Sequence, residues 1–340
     1  MKSLILPPLA SLYGAITKSR ASLYDRGAFR SAKLPRPVIS VGNITTGGTG
    51  KTPVVEFLCR VLADEGFKVC VLTRGYGRQN SKQRVLVSDG TTVFSDPAEA
   101  GDEPFLLATN LKGRAAVISD ANRFAAGEGA IKHLGTEVFV LDDGFQHLQL
   151  DRGLNIVTID ATNPWGGGKL LPYGRLREQL SSLKRADCLV VTRCDQVLEL
   201  DSIRTELARH SGDRPVFLSR MTTDQVTPVS ETTEEPEDPF AAFCGVGNPQ
   251  SFFSHLERND VTPVMKKSFA DHHAYSQADV DKLTAEAKLV GARSLITTAK
   301  DAVKLRALSF SLPCYALEIK TQIENVEEFR RLILNTARNK

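Results

Sequence analysis

The 340-residue sequence contains no C-x-x-C pair, and its six cysteines (Cys59, Cys70, Cys188, Cys194, Cys244 and Cys314) are scattered. That pattern excludes a zinc ribbon and a disulfide framework, and it fits a chain kept reduced in the cytosol. A strong charge imbalance is also missing. The net charge is only +3, so nothing in the total calls for nucleic acid. No internal repeat stands out, and no strong low-complexity tract. Nor is there a membrane-spanning run. The uncharged stretch "SLILPPLASLYGAIT" is fifteen residues long and holds Pro7 and Pro8, too short for a spanning helix. No small-residue cleavage site follows it, which argues against a signal peptide.

What is present is an ordinary globular composition, 41% hydrophobic and 24% charged, with length enough for two domains. The charge is unevenly placed. Residues 1–37 hold seven Lys/Arg and one acid, a net +6, which leaves the remainder at −3. Leu9, Leu12, Tyr13, Ile16, Leu23 and Tyr24 recur at helical spacing, with Lys18, Arg20 and Arg26 elsewhere on the turn. Residues 1–36 therefore read as an amphipathic basic helix. It fits an interfacial membrane anchor and, equally, a helix packed on its own domain with a solvated basic rim.

"NITTGGTGKTP" (Asn43 to Pro53) approaches the phosphate-binding pattern G-x-x-x-x-G-K-[ST] but places Thr45 where the first glycine belongs. Its flanks supply the context such a loop requires. "PVISVG" reads as a buried strand, and "TPVVEFLCRVLADEG" has apolar residues at helical spacing before Gly66. Gly47, Gly48, Thr49 and Gly50 would offer backbone N–H groups to phosphates at the positive end of the helix. Lys51 would reach the β/γ-phosphates of ATP, and the Thr52 hydroxyl would hold Mg²⁺. "VFVLDDGFQH" ends an apolar strand in Asp142 and Asp143, either of which suits the carboxylate partner of that Mg²⁺.

Strand-like runs at 68–73, 115–119, 138–141, 155–159 and 188–192 alternate with helical stretches, which predicts a mostly parallel α/β sheet. Residues 84–95 read as a hairpin turning at Asp89-Gly90. The polar stretch 222–239 reads as a hinge or linker. Beyond it the α/β pattern restarts over 240–340, with a capping box at Ser276 and Asp279.

Other constellations remain open on the residues alone. In "AGDEP", Asp102 and Glu103 stand at a helix start, where acids serve either the helix dipole or as a general base. "DHH" places His272 and His273 beside Asp271, suited to a metal or to pairing with a carboxylate. Arginines in "TRGYGR", "DANR" and "LLPYGRLRE" suit an anionic substrate or an ordinary surface. "GVG" (245–247) reads as a tight turn. "TRCD" (192–195) and "TAKD" (298–301) follow strands and fit purine contacts or plain turns.

Ten motifs in matching order resemble the tetraacyldisaccharide 4′-kinase family, the lipid A 4′-kinases of Gram-negative bacteria. They are the basic apolar N-terminus, "VGNITTGGTGKTP", "LTRGYGR", "GDEP", "DANR", "LDDGFQH", "LLPYGRLRE", "FCGVGNP", "FADHHAY" and "TAKDAVKL". The loop of this family lacks the first glycine. The resemblance implies a P-loop NTPase-type α/β/α domain over 37–221 and a second, smaller α/β domain over 240–340, with the active site in their cleft. It implies transfer of the ATP γ-phosphoryl group to the 4′-hydroxyl of a tetraacylated glucosamine disaccharide 1-phosphate. It also implies peripheral attachment at the cytoplasmic leaflet of the bacterial inner membrane, with no obligate protein partner. Lys51 and Thr52 match phosphate and Mg²⁺ ligands, and Asp142 and Asp143 the Walker B pair. Asp102 matches the base and His272 its partner. Arg74, Arg123, Gln146, His147 and Arg177 match positions near the substrates. Ala299 departs from the more usual Glu of "TAKD". A P-loop switch or metallochaperone without lipid, and a non-catalytic membrane adaptor, are the contrasting readings.

Overall fold

The structure is a computed structural model that describes residues 2–75, 78–229 and 235–339. In chain order the first elements are α1 (Lys2–Asp25), β1 (Val38–Gly42), α2 (Lys51–Asp64), β2 (Val69–Thr73), β3 (Val85–Ser88), α3 (Pro97–Ala100), α4 (Asp102–Asn110), β4 (Ala115–Ser119), α5 (Arg123–Leu134) and β5 (Val138–Asp142). They continue with β6 (Leu154–Asp160), β7 (Cys188–Thr192), α6 (Asp201–Ser211), β8 (Val216–Pro228), β9 (Phe240–Cys244), α7 (Pro249–Arg258) and β10 (Met265–Ser268). The last are α8 (Gln277–Leu289), β11 (Ser294–Thr298), α9 (Ala299–Leu305), β12 (Cys314–Ile323) and α10 (Val326–Arg338).

All twelve strands form one sheet in the order β10-β9-β11-β12-β8-β7-β6-β1-β5-β2-β4-β3. From β8 to β4 the neighbours run parallel, and β3 closes the edge antiparallel to β4. Strands β1, β2, β4, β5 and β7 are buried at every residue. That accounts for their near-continuous Val/Ile/Leu content, since helices cover both faces. On one face, α2 packs Val54, Val55, Leu58 and Leu62 into the core; on the other, α5 contributes Ala126 and Ala130.

Between the two halves the direction changes at β8 and β12, which pair antiparallel from Ser219↔Ile323 to Pro228↔Tyr315. Strands β12, β11, β9 and β10 are then parallel to one another. The start of β8 lies against β7 and its far half against β12. Both halves of the sheet therefore point their carboxyl ends at each other, and loops at such ends are where α/β folds bind ligands.

Two features add to the sequence reading. Residues 222–228, read as a hinge or linker, form the second half of β8, which runs from one half of the sheet to the other. These mostly polar residues lie on an exposed two-stranded ribbon, where strands need no apolar face. The rest of that stretch includes 230–234, outside the described residues. Helix α10, within the span read as the smaller domain, returns to the first half. Phe329 packs on Phe57 and Phe217, with ring centroids 5.9 and 4.8 Å apart, and Ile333 joins the same core.

Helix α1 docks with its small residues. Ala10, Gly14 and Ala21 face the protein, and a Cβ at Gly14 would lie 2.6 Å from Leu170 Cδ1. Ile5, Leu9, Leu12 and Ile16 are left 45–59% exposed. No helix among the described residues is long and apolar enough to cross a membrane.

Candidate active site

The loop after β1 shows why Thr45 can replace a glycine. Thr45 is extended and bridges Leu176, while the Thr46 amide donates to the Arg175 carbonyl at 2.7 Å. A paired, extended residue has no need of the left-handed backbone that glycine permits. Asn43 holds the turn instead. Its Nδ2 donates to the Thr45 carbonyl at 2.8 Å and to Thr49 Oγ1 at 3.0 Å. The hydroxyl of Thr192 donates to the Thr49 carbonyl at 2.9 Å. Gly50 does require its glycine. Its φ is +75°, and a Cβ there would lie 2.8 Å from Met221 Cε. As the N-cap of α2 it offers no side chain to the first-turn amides, which stay available to an anion.

Lys51 Nζ lies 3.5 Å from Asp143 Oδ1, and Arg177 Nη1 donates to both oxygens of the same carboxylate at 2.8 Å. Burial opposes ionisation of Asp143, but Lys51 and Arg177 outweigh it and hold its carboxyl below the usual range. Asp142 lies behind it, almost wholly buried, accepting from Thr73 Oγ1 at 3.1 Å. Burial first, then Glu103 and Asp143, push its carboxyl up to about 7. An under-compensated buried carboxylate beside a second one, near the start of α2, suits a hard divalent cation. Among the described residues no three His, Cys, Asp or Glu side chains converge as a self-sufficient metal site. Thr52, Asp142 and Asp143 fit Mg²⁺ as hydroxyl and carboxylate donors.

Across the cleft, "GVGNP" after β9 touches the P-loop directly. A Cβ at Gly247 would lie 3.1 Å from the Gly48 amide nitrogen and 3.2 Å from Gly47 Cα. Asn248 caps α7 through the Ser251 amide, and its Nδ2 reaches Asp160 Oδ2 at 3.2 Å. Arg193 joins this contact, donating to Asp160 Oδ2 at 2.5 Å and to the Gly48 carbonyl at 2.8 Å. "TRCD" thus braces the loop, and its Asp195 pairs with Arg258 of α7. The purine reading of that tetrapeptide finds no support.

The acids of "GDEP" meet the second half. His272 Nδ1 lies 3.4 Å from Asp102 Oδ2, and Lys304 Nζ 3.8 Å from the same oxygen. Lys300 Nζ lies 3.1 Å from Glu103 Oε1 and 3.6 Å from Asp271 Oδ1. Burial opposes the charge on Asp102 and Glu103, but the His272 and Lys304 contacts hold Asp102 down, and Lys300 and Lys51 do so for Glu103. Asp301 of "TAKD" is fully buried and structural. Its Oδ2 accepts from Gly245 N at 2.9 Å and from Thr298 Oγ1 at 2.7 Å. Lys300 and Lys304 escaped the sequence reading. The signal available was two lysines, four apart on α9, matching two adjacent acids on α4.

Gly47 to Thr52, Asp143 and His272 line one cleft of about 860 Å³, together with Arg74, Arg123, Gln146, His147 and Arg177. Tyr13 and Arg20 of α1 border its basic end. Burial first, then the nearby Arg123, Arg152, Arg20 and Arg74, push the His147 imidazole down to about 4. Two of the expected substrate residues also serve the fold. Gln146 donates to the Asn43 carbonyl at 2.9 Å, and Arg177 supports Asp143. Arg78 of "TRGYGR" braces Ser119, while Tyr76 and Gly77 lie outside the described residues.

Residues 2–338 match the family described as Tetraacyldisaccharide-1-P 4'-kinase. The chain belongs to that family. It is 38% identical over 335 residues to the Tetraacyldisaccharide 4'-kinase of Desulfotalea psychrophila, covering 97% of this chain and 95% of that protein. The enzyme of the same name from Geobacter metallireducens is 43% identical over 302 residues, 88% of each chain. The crystal structure of LpxK from Aquifex aeolicus in complex with ATP superposes with a TM-score of 0.77 at 32% identity, covering 99% of this chain and all of that one. The family, the P-loop geometry and the two-sided cleft agree with one another.

Proposed function

We propose that this chain is a tetraacyldisaccharide 4′-kinase, which moves the γ-phosphoryl group of ATP to the 4′-hydroxyl of a tetraacylated glucosamine disaccharide 1-phosphate. The observation that carries the reading is the contact of Asp102 with His272, a histidine that lines the same cleft as the P-loop. A switch ATPase, a metallochaperone or an adaptor has no use for a base facing an acceptor space.

The nucleotide phosphates rest on the amides of Gly47 to Thr52, with Lys51 against the β- and γ-phosphates. Thr52, Asp142 and Asp143 would hold Mg²⁺, which when bound would supply neutralisation of the phosphate charge. Asp102, oriented by His272, takes the proton of the acceptor hydroxyl as its oxygen bonds to phosphorus and ADP leaves. Arg74, Arg123 and Arg177, with Gln146 and His147, form the basic end that suits an anionic disaccharide. Incubation with γ-labelled ATP and the disaccharide lipid tests the reading. Label in the lipid at the 4′ position is expected. ATP hydrolysis indifferent to the lipid would overturn it.

The exposed face of α1 supports peripheral attachment to an anionic leaflet. Ile5, Leu9, Leu12 and Ile16 provide apolar burial, and each nearby Lys or Arg adds roughly 1 kcal/mol. Leu9→Ser with Leu12→Ser and Ile16→Ser should strip the protein from anionic vesicles without unfolding it, because none of the three is in the core. High salt alone should loosen binding without abolishing it. Unchanged vesicle binding by the triple variant would remove α1 from the attachment.

A further inference from the structure

We propose that Lys300 is a positioning residue that fixes the tautomer of His272, so that the imidazole carries its proton on Nδ1, aimed at Asp102. The proposal deepens the reading of Asp102 and His272 as base and partner, and rests on it. Lys300 Nζ lies 3.4 Å from His272 Nε2. A lysine ammonium has three N–H donors and no lone pair, so the only hydrogen bond this contact allows is donation to an unprotonated Nε2. Two acceptors lie within hydrogen-bond reach of the ammonium, His272 Nε2 and Glu103 Oε1 at 3.1 Å, and the Asp271 carboxylate adds an ion pair at 3.6 Å. The opposite tautomer has nowhere to place its proton. Asp271 Oδ1, the carboxylate oxygen beside Nε2, is 4.0 Å away, beyond hydrogen-bond reach. With Nε2 taken as acceptor, Nδ1–H points at Asp102 Oδ2 at 3.4 Å.

The arrangement belongs to one half of the molecule before the cleft is considered. Lys300 sits in the first turn of α9, whose Asp301 accepts from the Gly245 amide. The Gly245 carbonyl accepts from the His272 amide at 3.2 Å, and His272 adopts a left-handed φ of +60°. The imidazole and the ammonium are thus anchored to a common buried carboxylate. The opposite half contributes Asp102 and Glu103, from the first turn of α4. Lys304, also on α9, faces Asp102 Oδ2 and Asp301 Oδ1, and makes no contact with the ring nitrogens. Glu103 and Asp271 keep Lys300 charged against its burial. The consequence is preorganisation. Closure meets a ring already presenting Nδ1–H, Asp102 is held through Oδ2, and Oδ1 is left to take the acceptor proton while His272 retains its own.

Isotope-labelled histidine and two-bond proton–nitrogen correlation spectra read the tautomer directly, with the His272 pattern assigned by its loss in His272→Gln. The expected wild-type pattern, without ATP or lipid, is protonated Nδ1 and unprotonated Nε2. Lys300→Met should shift the population toward Nε2–H and lower kcat about tenfold or more at unchanged KM for ATP. Lys300→Arg should restore part of both. A wild-type His272 protonated on Nε2, or a folded Lys300→Met variant with an unchanged tautomer ratio, overturns the proposal. The wild-type spectrum decides the matter even if Lys300→Met fails to fold. Full turnover by Asp102→Ala would instead sink the base reading, and would leave the spectroscopic result to stand or fall by itself.

Discussion

The two walls of the cleft are made of different materials. The P-loop wall is backbone: amides at the start of α2, held by Asn43, Thr49 and Thr192 from inside a buried sheet. The opposite wall is side chain: His272, partly open to solvent, and the more buried Lys300 and Lys304, paired with acids that arrive from across the gap. Backbone held by neighbouring strands keeps its shape whether or not the cleft is shut. Charged side chains facing a partner on another body complete their contacts only when the two meet. On the proposed function, the first wall binds nucleotide and the second licenses chemistry once both substrates are in place.

Changes on either wall should separate these roles. The largest effect is expected from Lys51→Ala, which removes the cation facing the transferring phosphoryl group. Turnover should fall by at least about 10³-fold, with the fold intact by circular dichroism. Near-wild-type turnover in that folded variant would refute the P-loop assignment. Gly247→Val comes next. Its side chain would strike the Gly48 amide and Asp271 and prop the walls apart. A loss on the order of 10²-fold in kcat is expected from misplacement of this kind, with most of the ATP affinity retained. If kcat is unchanged and only ATP binding suffers, the second wall is a nucleotide cover and not a catalytic one.

The smallest effect concerns stability. Glu56 lies in α2 just beyond the P-loop, accepting from Asn110 Nδ2 at 2.8 Å. Burial pushes its carboxyl from an ordinary 4.5 up to about 7. Because the folded state holds this proton more tightly than the unfolded chain, the contribution is complete below 4.5 and is lost as pH rises through 7. Glu56→Gln keeps the bond from Asn110 and removes the charge. It should raise the free energy of unfolding at pH 8 by on the order of 1 kcal/mol or more, and change it little at pH 4. A variant less stable than wild type at pH 8 would show that the ionised carboxylate is better compensated than its burial implies.

The same contrast explains what could be read in the sequence. The backbone wall is encoded locally, in a β-branched run, a glycine loop and an amphipathic helix, so "VGNITTGGTGKTP" announced it. The cap at Ser276 and Asp279 is equally local, and both of its hydrogen bonds are present. The side-chain wall depends on residues far apart in the chain. Lys300 and Glu103 are separated by 197 positions, and no spacing rule brings them together. The face of α1 was ambiguous for another reason. Periodicity finds the large apolar stripe, but docking through Ala10, Gly14 and Ala21 requires knowing that Leu170 waits at Gly14. Polar strands such as 222–228 are hidden in the same way, since an exposed ribbon needs no apolar pattern.

The most direct test of the two-wall account is a double-mutant cycle on Asp102 and His272, with kcat and ATP affinity measured together. A positioned base is worth about 10²–10⁴-fold, so Asp102→Ala and His272→Ala should each lower kcat within that range. Combined, they should be little worse than the worse single variant, because residues acting as a unit are not additive. ATP affinity should hold, since the backbone wall is untouched. Full multiplication of the two losses, or a His272→Ala variant that loses only lipid affinity, would show that the histidine contacts substrate independently and that the walls do not meet through this pair.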